Sequence, residues 1–202
     1  MKKPGTRIQK KNHAAILEAG LEVFSKFGFR GSTIDQVAEA AGLSKPNLLY
    51  YFPSKEAIYT ALLSQLLENW LEPLKALDRD GDPVEELLAY AKRKLSMSQH
   101  FPRESRLFAN EIVQGAPHIL PSIEGPLKAL VDEKAALIQG WIDAGEVAPL
   151  NPHHLLFSIW ATTQHYADFD VQVRGILQPD ADQHLDAAAT FLTALYGRSL
   201  RP

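Results

Sequence analysis

The side chains with the most direct chemistry in this chain are Lys45 and Asn47, near the middle of the stretch TIDQVAEAAGLSKPNLLYYFPSKE at 33–56. A lysine ammonium donates to the acceptors of guanine, and an asparagine carboxamide pairs best with adenine, so a short helix showing both can read base edges. Thr33, Tyr50, Tyr51 and Lys55 flank them with hydroxyls and an ammonium. Such groups suit phosphate oxygens, which fix register without reading sequence. Pro46 removes no helical bond, because a first-turn N–H has no partner inside its helix. A second chemistry lies far along the chain at Gln164, one turn after Trp160 and one turn before Asp168, on a face that also holds Phe157 and Ala161. A primary amide among apolar residues needs partners. They are either neighbouring backbone and water, or a small planar molecule with Trp70 or Trp160 against its face. Glu111, near Phe108, is a second polar candidate, and its alternative is an exposed or ion-paired acid beside Arg103 and Arg106.

The elements that hold these groups follow from local pattern. Ile34, Val37, Ala38 and Ala41 recur at helical spacing, Gly42 stands where a helix stops, and Ser44 stands where another starts. Thr33 and Ser44 are expected to cap the two helices. The result is a helix-turn-helix, in which the first helix braces a second that enters a DNA major groove. Leu48 packs the core of this headpiece, while Tyr51 either packs there or reaches outward with its hydroxyl. An amphipathic helix is expected before it from Arg7 to Phe27, with Ile16, Leu17, Ala19, Gly20, Val23, Phe24 and Phe27 inward and Lys10, Lys11 and His13 near its start. Met1 to Gly5 offers nothing to pack and is expected to be disordered.

The run Thr33, Val37, Ala38, Ala41, Gly42, Leu43, Ser44, Leu48, Tyr51, Phe52, Ser54, Lys55, Glu56 resembles the DNA-binding headpiece of the TetR family of bacterial transcription regulators. One position departs from that pattern. Leu49 stands where the family usually has a phosphate-touching tyrosine, so Tyr50 takes over that contact or it is absent.

Beyond the headpiece the pattern stays helical. Ser54 caps a long helix whose stripe is Tyr59, Leu62, Leu63, Leu66, Leu67, Trp70, Leu74 and Leu77, and DRDGDP at 78–83 is a loop by composition. Further helices are expected at about Val84–His100, Arg103–Gly115, Ile123–Gly145, His153–Val173 and Asp182–Tyr196, and no alternating strand pattern is present. The fold class is therefore all-α: a three-helix helix-turn-helix domain at 1–53, then a larger helical ligand-binding and dimerisation domain at 54–202. The His153–Val173 helix is apolar on nearly its whole circumference and must be covered all round. With the last helix it forms half of a four-helix homodimer interface, or else it is buried within one chain.

Charge follows the same division. Residues 1–60 hold nine Lys or Arg against five Asp or Glu, whereas 61–202 hold twelve against nineteen, within a total of −3. A cationic front attracts phosphate and an acidic rear stays off the double helix. No apolar run nears the roughly 20 residues that span a bilayer, and the basic N-terminus lacks a following apolar segment. A cytoplasmic protein without membrane association is expected. With zero cysteines there is neither disulfide nor thiolate chemistry.

An enzyme is disfavoured. Ser158 and His165 lie two turns apart on one helix, and about 10 Å along the axis keeps a base from its nucleophile. His153 and His154 are adjacent and face apart, so no metal is expected, nor any cofactor. A ligandless architectural DNA binder is the other class, with a body packed solid.

The body segments WLEPLKA, SRLFANE, LKALVDEKAALIQGW and IWATTQHYADF resemble the pyrimidine-utilisation (Rut) repressor branch of the TetR family. That resemblance implies a homodimer on a palindromic operator, released when uracil or thymine enters the body. It makes Trp70 and Gln164 the leading ligand contacts, and the residue types read above add Phe108, Glu111 and Trp160 as candidates. The alternative within the family is a sensor of a drug or lipid, which needs a larger and more apolar cavity. Because an amide flips, Gln164 alone does not exclude cytosine, and some other fixed group must.

Overall fold

The computed structural model describes residues 7–202, so the Met1–Gly5 expectation lies outside the described residues. Helix is the only regular structure among those residues. None of the helices is long and apolar enough to cross a membrane. The chain divides into two compact units, one reaching Leu67 and including Arg106–Leu120, the other comprising Glu68–Ser105 and Pro121–Pro202.

The first unit starts with α1 (Arg7–Gly31), whose regular course breaks at Gly28, where φ is 69° and ψ is 169°. That conformation suits glycine, which has no Cβ to clash. Next come α2 (Ile34–Ala40), α3 (Lys45–Tyr51) and the start of α4 (Lys55–Lys75). Gly42, with φ of 65°, makes the tight turn between α2 and α3. Thr33 caps α2 in a reciprocal box: its hydroxyl accepts from Gln36 N–H at 3.2 Å while its own N–H donates to Gln36 Oε1 at 2.8 Å. Ser44 accepts from Asn47 N–H at 3.4 Å to begin α3. Ile16, Val37, Leu48, Ile58 and Leu63 are wholly buried beneath these helices. α1 and α4 approach closely because Gly20 has no side chain; a Cβ there would meet Ile58 Cγ2 at 3.0 Å and Phe24 Cε2 at 3.3 Å.

The second unit is built from α5 (Pro83–His100), α8 (Lys128–Asp143), α9 (Pro152–Asp168), α10 (Asp170–Leu177) and α11 (Gln183–Leu200). α9 packs against α5, α8 and α10, and α11 lies on α5. Leu87, Ile138, Leu156, Ile159 and Leu200 are wholly buried in its core. α6 (Pro102–Val113) and a short α7 (Leu120–Ser122) complete the helices.

Two helices depart from the sequence expectation. The one expected at Ile123–Gly145 starts instead as a π-helical turn at Ile123–Leu127 and becomes regular only as α8. Pro126 sits inside that turn. It lacks an N–H and its ring crowds the carbonyl four residues back, which widens the coil. The helix expected at His153–Val173 is two helices, parted at Phe169, where φ is −115° and ψ is 27°. Arg174 then ties Asp170 at 2.8 Å and Asp182 at 2.5 Å, anchoring α10 separately. Nor is α9 covered on all sides within one chain. Phe157 is 47% exposed, and on α11 Phe191 is 61% exposed.

The α1–α4 contact yields a direct test. Gly20→Val overfills it and is expected to cost about 1–3 kcal/mol, the usual range for added core methyl groups. Thermal unfolding followed by circular dichroism measures it; a melting temperature equal to that of the parent chain contradicts the packing described.

Candidate functional site

The α2–α3 pair is built from a small set of local rules. Capping fixes where each helix starts, Gly42 fixes the turn, and Leu48, wholly buried, fixes which face of α3 points in. Lys45, Pro46, Asn47, Leu49 and Tyr50 are consequently on the outside. Tyr50 is 73% exposed and meets Tyr51 edge-on at 5.3 Å. Lys45 pairs with Asp35 at 2.9 Å, and both are largely exposed, so the pair is weak and readily exchanged for another anion.

Three of the expected phosphate contacts have internal partners as well. Thr33 Oγ1 lies 3.2 Å from Gln36 Oε1 in addition to its capping bond. Tyr51 is half-buried, and its hydroxyl accepts from Asn12 Nδ2 at 2.9 Å. Lys55 donates to the carbonyls of Phe29 and Ser32, each at 2.8 Å, with its ammonium 4.3 Å from the Phe29 ring centre. Sequence reading missed this clasp because its partners are backbone oxygens more than twenty residues away.

Glu111 and Phe108 fall in the part of α6 that belongs to the first unit. Glu111 is buried, and its carboxylate accepts the His118 N–H at 2.7 Å and faces the His118 ring at 3.1 Å. The His118 ring packs edge-on against Phe29 and Tyr59 at 4.6 and 5.0 Å. Burial, then the Glu111 charge and its hydrogen bond, push the Tyr59 hydroxyl well above the ordinary tyrosine range. Glu111 is thus neither an exposed acid nor one paired through Arg103 or Arg106 alone. No local pattern points to His118, whose role exists only once the chain is folded.

In the second unit, Trp70, Trp160 and Gln164 stand with groups that sequence reading did not single out. Trp160 Nε1 donates to Tyr90 Oη at 2.6 Å, joining α9 to α5. Gln164 follows one turn later and is half-buried. Among the described residues its carboxamide has no hydrogen-bonding partner within the protein. Asp168, one turn further, accepts from Ser105 Oγ at 2.6 Å. On α5, which packs against α9, Lys94 lies one turn beyond Tyr90 and is 3% exposed. Its ammonium lies 5.5 Å from the centre of the Trp70 ring and 3.5 Å from the Trp70 carbonyl. Desolvation pushes the Lys94 ammonium down to about 7, partly opposed by the Asp168 charge. Lys94 was detectable in the sequence, since Leu87, Ala91, Lys94 and Ser98 follow helical spacing and a lysine among them points inward.

The residues that might have suggested a hydrolase do not converge. Ser158 Oγ donates to the Leu155 carbonyl at 2.8 Å, whereas His165 is exposed and stacks on Phe169 at 5.0 Å.

A capped helix-turn-helix followed by a second helical unit is the architecture of a DNA-binding transcription regulator. Residues 16–62 match the family described as "Bacterial regulatory proteins, tetR family", and residues 63–202 match "YcdC-like protein, C-terminal region". The chain belongs to the TetR family. It is 54% identical over 162 residues to the HTH-type transcriptional regulator RutR of Escherichia coli strain K12, covering 80% of this chain and 76% of that one. Among solved structures, a TetR-like regulator from Rhodococcus sp. RHA1 superposes with a TM-score of 0.69 at 21% identity, covering 97% of each chain. AibR, solved with isovaleryl coenzyme A and operator DNA, gives a TM-score of 0.71 at 18% identity, covering 91% of this chain and 97% of that one. The protein is therefore a RutR-like, DNA-binding transcription regulator of the TetR family and not an enzyme.

The buried lysine also carries a stability signature. Its folded-state value of about 7 lies below the ordinary 10.5, so between those two pH values the unfolded chain holds the extra proton and stability rises with pH. Lys94→Met is expected to be neutral or to stabilise by about 1–4 kcal/mol, as replacements of buried charge often do. The gain is largest below pH 7 and shrinks towards 10.5. Urea unfolding at several pH values checks this; destabilisation at every pH contradicts it.

Proposed function

We propose that this chain is a cytoplasmic repressor that binds a palindromic operator as a homodimer and releases it when uracil or thymine binds, thereby controlling pyrimidine or nitrogen utilisation genes. In this reading residues 1–53 form the DNA-binding domain and 54–202 the ligand-binding and dimerisation domain. Lys45 and Asn47 read base edges, with Pro46 opening their helix. Thr33, Tyr50, Tyr51 and the remaining N–H of Lys55 hold phosphates, and Tyr50 substitutes for the contact that Leu49 cannot make. Trp70, Phe108, Glu111, Trp160 and Gln164 serve the effector site, Glu111 through its hold on His118.

The observation that carries the effector assignment is the half-buried Gln164 carboxamide without a protein partner. A half-buried amide with no partner in the protein keeps both its donor and its acceptor available, so its place between Trp160 and Asp168 suits a polar ligand. A carboxamide offers a donor and an acceptor side by side, matching the imide edge of a pyrimidinedione, and indole rings suit its flat faces. The 54% identity to RutR supports the same choice. The dimer is supported by the open apolar surface of α9 and α11 at Phe157, Phe191 and Leu195. Two copies of such a pair make a four-helix interface, and two headpieces then span two half-sites.

Release follows from differential binding: the effector favours one conformation of the protein, and the shift cannot exceed its difference in affinity for the two.

Two measurements test the reading. In a gel shift with the promoter beside its own gene, uracil is expected to release the parent protein. Gln164→Ala is expected to bind that DNA normally and to need roughly ten- to hundred-fold more uracil, the equivalent of two lost hydrogen bonds. Release of the variant at the parental concentration refutes the site. In sedimentation velocity, Phe191→Glu places a charge on the proposed interface and is expected to yield monomers; an unchanged dimer refutes that interface.

A further inference from the structure

The Lys94 ammonium is the most conspicuous group that the fold itself does not need. It is 3% exposed, and among the described residues its hydrogen bonding amounts to one long contact, 3.5 Å, with the Trp70 carbonyl. An ammonium has three donors. A structural lysine this deep would be ion-paired at close range or replaced by an apolar side chain. Its surroundings point to a ligand instead. The Trp70 ring lies beside it, the charge of Asp168 on α9 acts on it, and one turn back on α5 Tyr90 accepts from Trp160. The register of the α9 stripe of Trp160, Gln164 and Asp168 is fixed at one end by the Trp160–Tyr90 bond and at the other by Ser105 on Asp168. Gln164 falls between these two fixed points, on the same helical face.

Resting on the effector reading above, we propose that Lys94 is a specificity-determining ligand contact, its ammonium donating to the 4-carbonyl oxygen of a pyrimidinedione that Gln164 engages along the adjoining imide edge. The Asp168 carboxylate, held by Ser105, favours the charged form of the ammonium against the larger opposing effect of burial. This assignment supplies the fixed group that an amide cannot provide. Gln164 can rotate its carboxamide to suit either a carbonyl or an amino group. A lysine ammonium cannot, because it has donors only. Uracil places an acceptor at position 4, which the ammonium satisfies. Cytosine places an amino group there, so two donors meet and both lose their solvent without compensation. A site built to bond one group rejects the analogue lacking it far more strongly than an apolar pocket can.

Calorimetric titration of the full-length protein with uracil, cytosine and 4-thiouracil tests the proposal, with thermal unfolding of each variant as a check on folding. The parent chain is expected to bind uracil, to bind 4-thiouracil several-fold more weakly because sulfur is a poor acceptor, and to ignore cytosine. Lys94→Met is expected to lose at least about tenfold in uracil affinity while still shifting operator DNA. Lys94→Gln, whose amide can turn, is expected to narrow the gap between uracil and cytosine. Parental uracil affinity in both variants, with an unchanged preference over cytosine, overturns the assignment of Lys94 and leaves the effector reading intact. Equal binding of uracil and 4-thiouracil by the parent chain also overturns it. A parent chain that does not bind uracil at all overturns the effector reading and this assignment together.

Discussion

The second unit has to enclose a positive charge inside a seam of packed helices, and most of its polar detail is arranged around that constraint. Lys94 lies among the side chains that join α5 to α9, where a leucine would pack more cheaply. The surrounding groups compensate only in part: an indole face at 5.5 Å, a distant carbonyl, and a carboxylate on the opposing helix. Cation–π attraction and a charge across a seam are each modest against the desolvation of an ammonium. The remainder of the second unit is conventional by comparison, with leucines and isoleucines filling the space between α5, α8, α9 and α11. A local deficit set in a well-packed surround is what a binding site requires, because only an unsatisfied group has something left to give a ligand.

The first unit solves a different problem, which is rigidity at the reading surface. Its recognition helix is short, seven residues, and could not hold itself together alone. Stability comes instead from Leu48 below it, Ser44 and Phe52 at its ends, and the α1–α4 frame behind it. Outward-facing Lys45, Asn47 and Tyr50 are then free of structural duty apart from the exposed Asp35 pair. In this unit packing and recognition use opposite faces of one helix. In the second unit the polar groups Lys94, Trp160 and Asp168 lie in the seam that packs α5 against α9.

That contrast explains what could be read from the chain. The helix-turn-helix was legible because its determinants are local: Thr33, Gly42, Ser44 and Pro46 each act within a few residues. The all-helical class and most helix positions were legible for the same reason, through apolar periodicity. Breaks imposed from a distance were not. Asp168 is fixed by Ser105, 63 positions earlier, and the helix parts just beyond it at Phe169 without a proline or glycine to mark the place. Pro126 was visible, yet its effect depended on whether the chain would stop or widen, which packing decides. At the site, Trp70, Trp160 and Gln164 were selected from residue type and resemblance. Lys94 was not singled out, although its position on the stripe of Leu87 and Ala91 marks it as inward. His118 could not have been found, since its partners Glu111, Phe29 and Tyr59 come from three separate segments.

The clasp that Lys55 makes on Phe29 and Ser32 governs how the headpiece comes apart. It links the end of α1 to the first turn of α4 across the whole of α2 and α3. Letting go costs the Ser32 carbonyl its lysine donor, leaves the Phe29 carbonyl with a 3.4 Å bond from Ser32 N–H, and removes a cation from an aromatic face at once, so partial fraying gains little. Helices of seven residues, each unstable alone, are thereby enclosed in a loop tied at its neck. Coupling of this kind favours loss of the α2–α3 surface as one unit over fraying at either end.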